Sequence, residues 1–320
     1  MLILLGGSGF LGSRLRHILN LADVDFASFD KSLSQKGYVD VTLPETFRTL
    51  PDADLVINLV AEHRDDVYPI SLYDEVNVNG AVNVCNFCRE RNVKRIIFVS
   101  SVAVYGDATP KTDELGDIKP SNDYGRTKFQ AEEVYREWFN EMPDQRSLTI
   151  IRPTVIFGEG NRGNVYNLLR QIASGIFFMI GEGKNYKSMA YVGNVAEFIF
   201  CTTKLDAGLH LFNYVDGPDL TMNELVLLVR KNLFGKENVG IRIPLWLAYS
   251  AGKFFDLVAR VLNRKFPISA LRVKKFCSTS SFRSSNEHPS FEAPHDLLQA
   301  LEQVINSEFK ETRSSRPRGQ

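Results

Sequence analysis

The chain has 320 residues, of which 38 are basic, 38 are acidic and 44% are hydrophobic. This composition is too apolar for a disordered protein, and the balanced charge argues against a nucleic-acid partner. Four scattered cysteines and the lack of an apolar run of spanning length predict a cytoplasmic globular protein with one large or two unequal domains.

Short apolar runs alternate with helical patterns through the first half of the chain. They predict strands at residues 2–5, 25–30, 55–60, 96–101 and 148–152. This alternation is typical of an α/β fold with a doubly wound parallel sheet of the Rossmann kind. Glycine-rich loops and three helical patterns follow, near residues 194–204, 221–234 and 245–262. We therefore expect a dinucleotide-binding domain over residues 1–153, a smaller substrate-binding lobe over 154–311 and a disordered tail over 312–320.

A glycine-rich turn follows the first predicted strand. Gly6, Gly9 and Gly12 have the spacing G-x-x-G-x-x-G, and a helical pattern begins at Phe10 and Leu11. Without side chains, the turn lets backbone N–H groups approach a pyrophosphate at the positive end of that helix. Asp30 ends the next predicted strand, where its carboxylate can bind a ribose 2'-hydroxyl and repel a 2'-phosphate. The two features together predict NAD as the cofactor.

A tyrosine and a lysine four residues apart provide the candidate catalytic groups. Tyr124 and Lys128 lie in a predicted helix, so they share one face, and the ammonium can lower the pKa of the phenol. The strand over residues 96–101 ends in Ser100 and Ser101, at the sheet edge where open α/β folds bind ligands. This arrangement predicts a phenolate general base assisted by a serine hydroxyl.

These motifs resemble the extended short-chain dehydrogenase/reductases, in particular the NAD-dependent epimerases and dehydratases, over nearly the whole chain. The resemblance implies that Ser101, Tyr124 and Lys128 form the catalytic triad. Val102 and Ala103 stand where dehydratases of the family carry an acidic pair, which argues against dehydration. The resemblance also implies further contacts with the cofactor, from Asp40, Val41, Leu59, Ala61, Asn77, Tyr124 and Lys128.

Longer strings resemble a branch of this family that acts on polyprenyl-diphosphate-linked sugars in O-antigen synthesis. The strings lie at residues 61–67, 151–159, 161–169, 187–194 and 272–277. The resemblance implies a 4-epimerase that interconverts N-acetylglucosamine and N-acetylgalactosamine on undecaprenyl diphosphate through a 4-keto sugar. Lys187 stands near the place of an arginine that binds the substrate diphosphate, and a lysine offers only a point charge there. The implied substrate contacts are Ser101, Thr154, Arg162, Lys187 and Arg272.

A basic segment surrounds the last long helical pattern. Residues 242–283 contain nine basic side chains and one acidic side chain, Asp256, which suggests an anionic partner. The helix over 245–262 either packs on the second lobe or lies in a membrane interface with Trp246 and Phe254 inserted. We therefore expect the inner face of the cell membrane as a peripheral partner, and a homodimer is a further possibility.

Three alternatives stay open at this stage. A soluble epimerase of UDP-linked sugars would share every catalytic residue, whereas a 4-keto-sugar reductase would consume reduced cofactor. An NAD-binding scaffold without activity is a different class, but such proteins commonly lose the tyrosine or the lysine. Cys85 and Cys88 fall in a helical pattern without a second pair, so we expect no metal site.

Overall fold

The computed structural model describes residues 1–33, 37–64, 66–262, 270–286 and 291–310, so the predicted tail over 312–320 lies outside the described residues. Two short 3-10 helices, Pro44–Thr49 and Val102–Tyr105, and two π-helical segments, Asp74–Asn79 and Asn306–Lys310, accompany the main elements. In chain order, these are β1 (Leu2–Leu5), α1 (Phe10–Leu21), β2 (Phe26–Phe29), β3 (Leu55–Asn58), α2 (Gly80–Glu90), β4 (Arg95–Val99), α3 (Asp123–Asn140), β5 (Ser147–Pro153), β6 (Val155–Phe157), α4 (Asn164–Ala173), β7 (Met179–Ile180), β8 (Tyr186–Tyr191), α5 (Val192–Thr202), β9 (Gly208–Tyr214), β10 (Asp216–Thr221), α6 (Met222–Phe234), β11 (Arg242–Ile243), α7 (Leu245–Leu262), α8 (Ala270–Cys277) and α9 (Leu297–Ile305).

The chain divides into two compact units that are interleaved along the sequence. The first contains Met1–Ile156, Ala190–Asp216 and Phe282–His295, and the second contains Phe157–Met189, Gly217–Ser281 and Asp296–Gln320. The sequence suggests a single boundary after residue 153, but the chain returns to the first unit to add α5 and β9.

The first unit is built on a parallel six-stranded sheet in the order β2-β1-β3-β4-β5-β9. All residues of β1 and β3 are buried, as expected for strands covered on both faces. Ile3 packs in a cluster with Trp138 of α3, whereas its neighbour Leu4 packs in a second cluster with Phe198 of α5. Helices therefore cover both faces of the sheet, which confirms the predicted doubly wound fold.

The carboxyl ends of the parallel strands meet at one edge of this sheet, since β1 pairs in parallel with β2 and β3, and β4 with β3 and β5. The segments that leave this edge begin at Gly6, Asp30, Leu59, Ser100 and Thr154. The strand order thus brings the predicted cofactor and catalytic residues to the same edge.

The second unit is mainly helical. In it, α6 packs against α4 and α9, and α7 packs against α8. The capping box of Thr221 and Glu224 starts α6, and Gly235, with φ of 64°, ends it in a left-handed turn. The strands β7 and β11 of this unit form a parallel pair. Counted with neither unit, β10, β8 and β6 form a three-stranded sheet in that order. Among the described helices, none has the length and hydropathy needed to cross a membrane.

Candidate active site

The glycine turn joins β1 to α1 with very close backbone contacts. A Cβ atom at Gly12 would lie 2.2 Å from the carbonyl oxygen of Gly6 and 2.7 Å from the Cα of Gly7. Gly6 has φ of 82°, in the left-handed region that favours glycine. The first turn of α1, which begins at Phe10, contains no acidic side chain, and Gly9 caps it without a side-chain bond. This helix end fits the diphosphate of a dinucleotide, since N–H groups and the helix dipole favour an anion there.

Asp30 lies beside the glycine turn. Its Oδ2 accepts a hydrogen bond from the backbone N–H of Ser8 at 3.2 Å, and its Oδ1 accepts from the N–H and the hydroxyl of Ser32 at 2.9 and 2.8 Å. The carboxylate is therefore held where β2 ends, next to the glycine turn between β1 and α1. A carboxylate in this position can accept from ribose hydroxyls and disfavours a phosphate on the ribose.

The other predicted cofactor residues line the following strand ends. Val41 is buried and packs against Gly80, where a Cβ would lie 2.9 Å from a Val41 methyl group. Asp40 fixes the turn around it by accepting from the N–H of Thr42 at 2.9 Å. Leu59 follows β3 directly and is half-buried, as is Ala61. Contacts of these residues with the cofactor stay a prediction.

Asn77 is buried and holds the loop after β3. Its Oδ1 accepts from the backbone N–H of Glu62 at 2.8 Å, and its Nδ2 donates to the Glu62 carbonyl at 3.1 Å and to the Thr127 hydroxyl at 2.9 Å. Arg64 pairs with the Glu62 carboxylate at 2.7 Å. The hydrogen bonds that the Arg64 side chain donates are the main reason why the pKa of Glu62 is lowered to about 2. The amide of Asn77 thus positions the loop against α3, a role that the sequence motif alone does not reveal.

Ser101 and Tyr124 form the centre of the predicted catalytic site. Asn122 caps α3 by accepting from the N–H of Gly125 at 2.8 Å. A Cβ at Gly125 would lie 2.3 Å from the carbonyl oxygen of Ala103, so only glycine lets α3 approach the segment after Ser101 this closely. Burial raises the pKa of Tyr124, and its hydrogen bond with Ser101 partly offsets this effect.

Lys128 lies one helical turn after Tyr124 and is 1% exposed. Its Nζ lies 4.2 Å from the centroid of the Phe98 ring, a favourable contact for a cation. Burial lowers the pKa of Lys128 to about 7, although the charge of Glu132 opposes this shift. The ammonium is therefore close to losing its proton at neutral pH. The structure brings the three predicted catalytic residues into one region of the first unit.

A buried polar network beside this site is absent from the motif-based predictions. The Glu132 carboxylate is fully buried and accepts hydrogen bonds from Ser100 at 2.5 Å and from Arg152 at 2.9 and 2.5 Å. Arg152 also donates to the Tyr105 hydroxyl at 2.7 Å. The sequence could have predicted that Glu132 lies near the site. It follows Lys128 by four residues and so shares the face of α3 that carries the predicted catalytic groups.

The predicted substrate residues outside the triad fall in both units. Thr154, in the first unit, is 5% exposed, and its hydroxyl has no hydrogen-bond partner within the described part of the chain. In the second unit, Arg162 pairs with Glu308 at 2.6 Å and lies over the Tyr166 ring. The backbone of Arg272 lies in α8, but its side chain is outside the described part.

Lys187, also in the second unit, is anchored at the end of α8. Its Nζ donates to the carbonyl oxygens of Lys275 at 3.0 Å and Ser278 at 2.7 Å. Burial lowers the pKa of this ammonium, and the nearby Cys277 opposes the effect. In the structure Lys187 ties β8 to the end of α8, and its contact with a substrate diphosphate stays a prediction.

The sulfur atoms of Cys85 and Cys88 lie within the core of the first unit. Burial raises the pKa of Cys85 to about 12, so it is a thiol at neutral pH. In the described ranges, no group of three or more histidine, cysteine, aspartate or glutamate side chains is arranged to hold a metal ion.

Residues 2–214 match the family described as "NAD dependent epimerase/dehydratase family". The chain is 48% identical over 316 residues to an N-acetyl-α-D-glucosaminyl-diphospho-ditrans,octacis-undecaprenol 4-epimerase of Escherichia coli O157:H7, covering 96% of this chain and 95% of that protein. It is 29% identical to a UDP-glucose 4-epimerase of Vibrio cholerae, covering 81% and 84%. The solved structure of MoeE5 in complex with UDP-glucose and NAD is similar in fold, with a TM-score of 0.74, 20% identity and coverage of 98% and 99%.

Proposed function

The chain belongs to the NAD-dependent epimerase/dehydratase family, and on this premise we propose that it is a 4-epimerase of an N-acetylhexosamine carried on undecaprenyl diphosphate. The observation that carries this proposal is the 48% identity to an epimerase of that substrate over nearly the full length of both chains. The family, the isomerase class and NAD as cofactor, all predicted from the sequence, are confirmed.

The residues of the first unit fit this cofactor. The glycine cradle, which a Cβ at Gly12 would fill, can hold the diphosphate, and Asp30 can accept from the ribose hydroxyls. When bound, NAD would supply the hydride chemistry at C4 of the sugar, taking the hydride and returning it to the opposite face. The protein itself then has to bind the sugar, move the proton of its O4 hydroxyl and retain the 4-keto sugar.

Tyr124 is the group we assign to proton transfer at O4. As a phenolate it would take the O4 proton, and as a phenol it would return a proton to O4 once the configuration at C4 has been inverted. Ser101, which hydrogen-bonds Tyr124, would bind O4 and orient it. Since burial raises the pKa of Tyr124, formation of the phenolate requires nearby positive charge, which a protonated Lys128 would supply.

Thr154 is a second candidate contact for the sugar or the cofactor. Its hydroxyl is buried at the carboxyl edge of the sheet without a partner in the described residues. A buried hydroxyl without a hydrogen bond costs free energy, so a ligand that supplies a partner would recover that cost. We therefore retain Thr154 in the substrate site.

The diphosphate of the carrier requires cations. Arg162 is 60% exposed on its side chain and pairs with one carboxylate, so it could exchange that partner for a phosphate at small cost. The described bonds of Lys187 use two of the three donors of an ammonium, which leaves a donor for a phosphate oxygen. Arg272 stays a prediction. We assign Arg162, Lys187 and Arg272 together to the diphosphate of the lipid-linked substrate.

The outer surface of α7 supports association with a membrane. Ala248 and Gly252 are buried, whereas Trp246 is 70% and Phe254 is 62% exposed. Lys253 is exposed on the same helix. Aromatic side chains flanked by cations favour the interface of an anionic bilayer. We propose that α7 lies on the inner face of the cell membrane, where the lipid-linked substrate resides, and the homodimer stays a prediction.

The test offers purified protein two substrates under the same conditions, undecaprenyl-diphosphate-linked and UDP-linked N-acetylglucosamine. We expect N-acetylgalactosamine on the lipid carrier, without added reductant and without net change in NADH absorbance. Turnover of only the UDP-linked sugar would favour the soluble epimerase instead. A requirement for stoichiometric NADH or NADPH would overturn the epimerase in favour of a reductase.

A further inference from the structure

We propose that Glu132 is a positioning residue for the catalytic groups, because it joins Ser100 at the end of β4 to Arg152 on β5 and lies one turn beyond Lys128 on α3. This inference rests on the proposed function, since it assigns Glu132 a task in the same reaction. It concerns a buried carboxylate that the reaction itself does not use.

The geometry links Glu132 to both catalytic elements. Its Oε1 accepts from the Ser100 hydroxyl at 2.5 Å, and Ser100 is the chain neighbour of Ser101. The Ser100 N–H donates to the carbonyl of Ile151 on β5 at 2.7 Å. Both the side chain and the backbone of Ser100 are thus fixed immediately before the hydroxyl of Ser101. A displacement of this strand end would move Ser101 relative to Tyr124.

Arg152 anchors the other side of the carboxylate. It donates to Oε1 through Nε and to Oε2 through Nη2, at 2.9 and 2.5 Å, and its remaining Nη1 donates to the Tyr105 hydroxyl. Tyr105 in turn donates to Asn213 of β9 at 2.8 Å. Two parallel bonds to a carboxylate fix its plane as well as its distance. The network therefore connects α3 with β4, β5 and β9 through groups that are almost fully buried.

The groups near Lys128 lie on α3, β4 and β5, and the Glu132 carboxylate is the one whose charge favours the ammonium. On α3, Tyr124 precedes it and Glu132 follows it, each by four residues. On β4, the ring of Phe98 contacts the ammonium. On β5, Arg152 lies behind the Glu132 carboxylate, and on α3 Arg136 approaches the same carboxylate at 4.0 Å.

The state of the Lys128 proton follows from this arrangement. Burial disfavours the ammonium strongly and lowers its pKa to about 7, whereas the charge of Glu132 raises that pKa. If Tyr124 needs a protonated Lys128 nearby, the carboxylate extends the pH range in which the base functions. Glu132 would then act on the reaction through Lys128 and Ser101 without touching the sugar.

The first experiment uses Glu132→Gln, which preserves the shape of the side chain and removes its charge. The titration of Lys128 is followed by NMR of its ε-methylene group, assigned with Lys128→Met, so this readout does not require turnover. We expect the midpoint to fall by about one pH unit and the alkaline limb of kcat/KM to shift by the same amount. An unchanged midpoint in the folded variant would overturn the inference, even if the proposed substrate were wrong.

Glu132→Gln also leaves Arg152 without its counter-charge, which can prevent folding. The double variant Glu132→Gln with Arg152→Met removes both charges and should also lower the midpoint of Lys128, but by less than the single variant, because the positive charge of Arg152 is removed as well. The matched control is Ser100→Ala. It retains the charges of Glu132 and Arg152 and removes only the hydroxyl of the residue next to Ser101. We expect this variant to lose roughly tenfold in kcat through displacement of Ser101, with the midpoint of Lys128 unchanged.

The outcomes separate the inference from the proposed function. Absence of epimerase activity in the unmodified protein would reject the function, while the NMR arm still tests the link between Glu132 and Lys128. A purely structural role predicts a lower melting temperature with unchanged kcat and an unchanged alkaline limb in each folded variant. Wild-type turnover in Ser100→Ala would overturn the positioning of Ser101.

Discussion

The helices α3 and α7 have the same length, 18 residues, yet they distribute their side chains in opposite ways. In α3, large and charged groups such as Lys128, Glu132 and Trp138 are buried. In α7, the buried positions include the small residues Ala248 and Gly252, and large apolar side chains face outward. In an ordinary amphipathic helix, by contrast, the large apolar side chains are the ones that are buried.

The difference shows where each helix finds its partners. The Glu132 carboxylate of α3 accepts hydrogen bonds from Ser100, directly after β4, and from Arg152 of β5, so its partners lie inside one compact unit. The small buried residues of α7 allow close packing against α8, whereas Trp246 and Phe254 are left exposed by the described part of the chain. Exposed aromatic area of this kind is what the proposed contact with a membrane would cover. The proposed catalytic groups thus lie on the first helix, and the proposed membrane contact lies on the second.

The largest effect is expected from removal of the phenol on α3. Tyr124→Phe should lower kcat by at least about 100-fold, because it removes the positioned acid and base, while folding and NAD binding are retained. The matched control on α7 is Tyr249→Phe, which keeps the ring that lies 4.9 Å from the Lys253 ammonium. Steady-state kinetics on the lipid-linked sugar, together with NAD titration, measure both variants. Near-normal turnover of Tyr124→Phe would remove it from its assigned role.

The packing of α7 predicts a stability change at a small buried position. Ala248 is 8% exposed, so Ala248→Leu should destabilise the fold by about 1 to 3 kcal/mol through overpacking. The control Leu247→Ala changes a side chain that is 47% exposed and should stay within about 0.5 kcal/mol of the wild type. Urea unfolding followed by circular dichroism measures both. Equal effects would mean that α7 is not oriented as described.

The outward face of α7 predicts binding to lipid vesicles. Trp246→Ser combined with Phe254→Ser should reduce affinity for anionic vesicles by at least about tenfold, since inserted apolar area contributes roughly 25 cal/mol per Å². High salt should release part of the wild-type protein, because the basic side chains also contribute. Co-sedimentation measures the affinity for vesicles. Leu21→Ser is the control, because Leu21 is an apolar side chain that is 75% exposed in the first unit, outside α7. Unchanged affinity in a folded double variant would reject the interfacial role.

The smallest effect concerns the cost of burying Lys128. Its pKa is about 7 in the folded chain and near its ordinary 10.5 when unfolded. Between these values the unfolded chain binds more protons, so the stability of the cofactor-free protein should rise with pH across this window. Lys128→Met should therefore be more stable than the wild type by about 1 kcal/mol or more at pH 6, and this gain should shrink as the pH increases.

The same substitution at an exposed lysine provides the control. Lys253→Met changes an exposed lysine and leaves Lys128 in place, so this variant should keep the rise of stability with pH that Lys128 gives the wild type. Thermal unfolding between about pH 6 and pH 10 measures both variants. A constant difference between Lys128→Met and the wild type would show that Lys128 does not titrate in this range.

The local elements of the first unit were predictable from sequence, because each has a clear signal. The five predicted strands are present within a few residues of their expected ends, and the helices near 194–204, 221–234 and 245–262 correspond to α5, α6 and α7. The strand β9 was not predicted, since it follows the irregular segment after residue 153 and its first four residues are exposed or half-buried, with only the last three buried. The interleaving of the two units was not predictable either, because it depends on contacts between distant segments.

Partners that are distant in sequence explain what the site predictions missed. Arg162 pairs with Glu308, which lies 146 residues further along the chain, and no local sequence pattern predicts that ion pair. Lys187 binds backbone carbonyls, which every residue possesses, so its anchoring role has no sequence signature. For α7 the sequence left the packed and interfacial alternatives open, because periodicity does not reveal which stripe faces the protein.

The segment Phe282–His295 belongs to the first unit although it comes late in the chain. Within it, Ser284 and Ser285 donate to the Glu114 carboxylate, and His295 donates its N–H to Asn194. During synthesis on the ribosome, these bonds cannot form until nearly the whole chain has emerged. Unit-by-unit folding from the amino terminus, common for chains with consecutive domains, is therefore delayed here. A nascent chain stalled before residue 282 would therefore lack the bonds that Glu114 and Asn194 make with this segment.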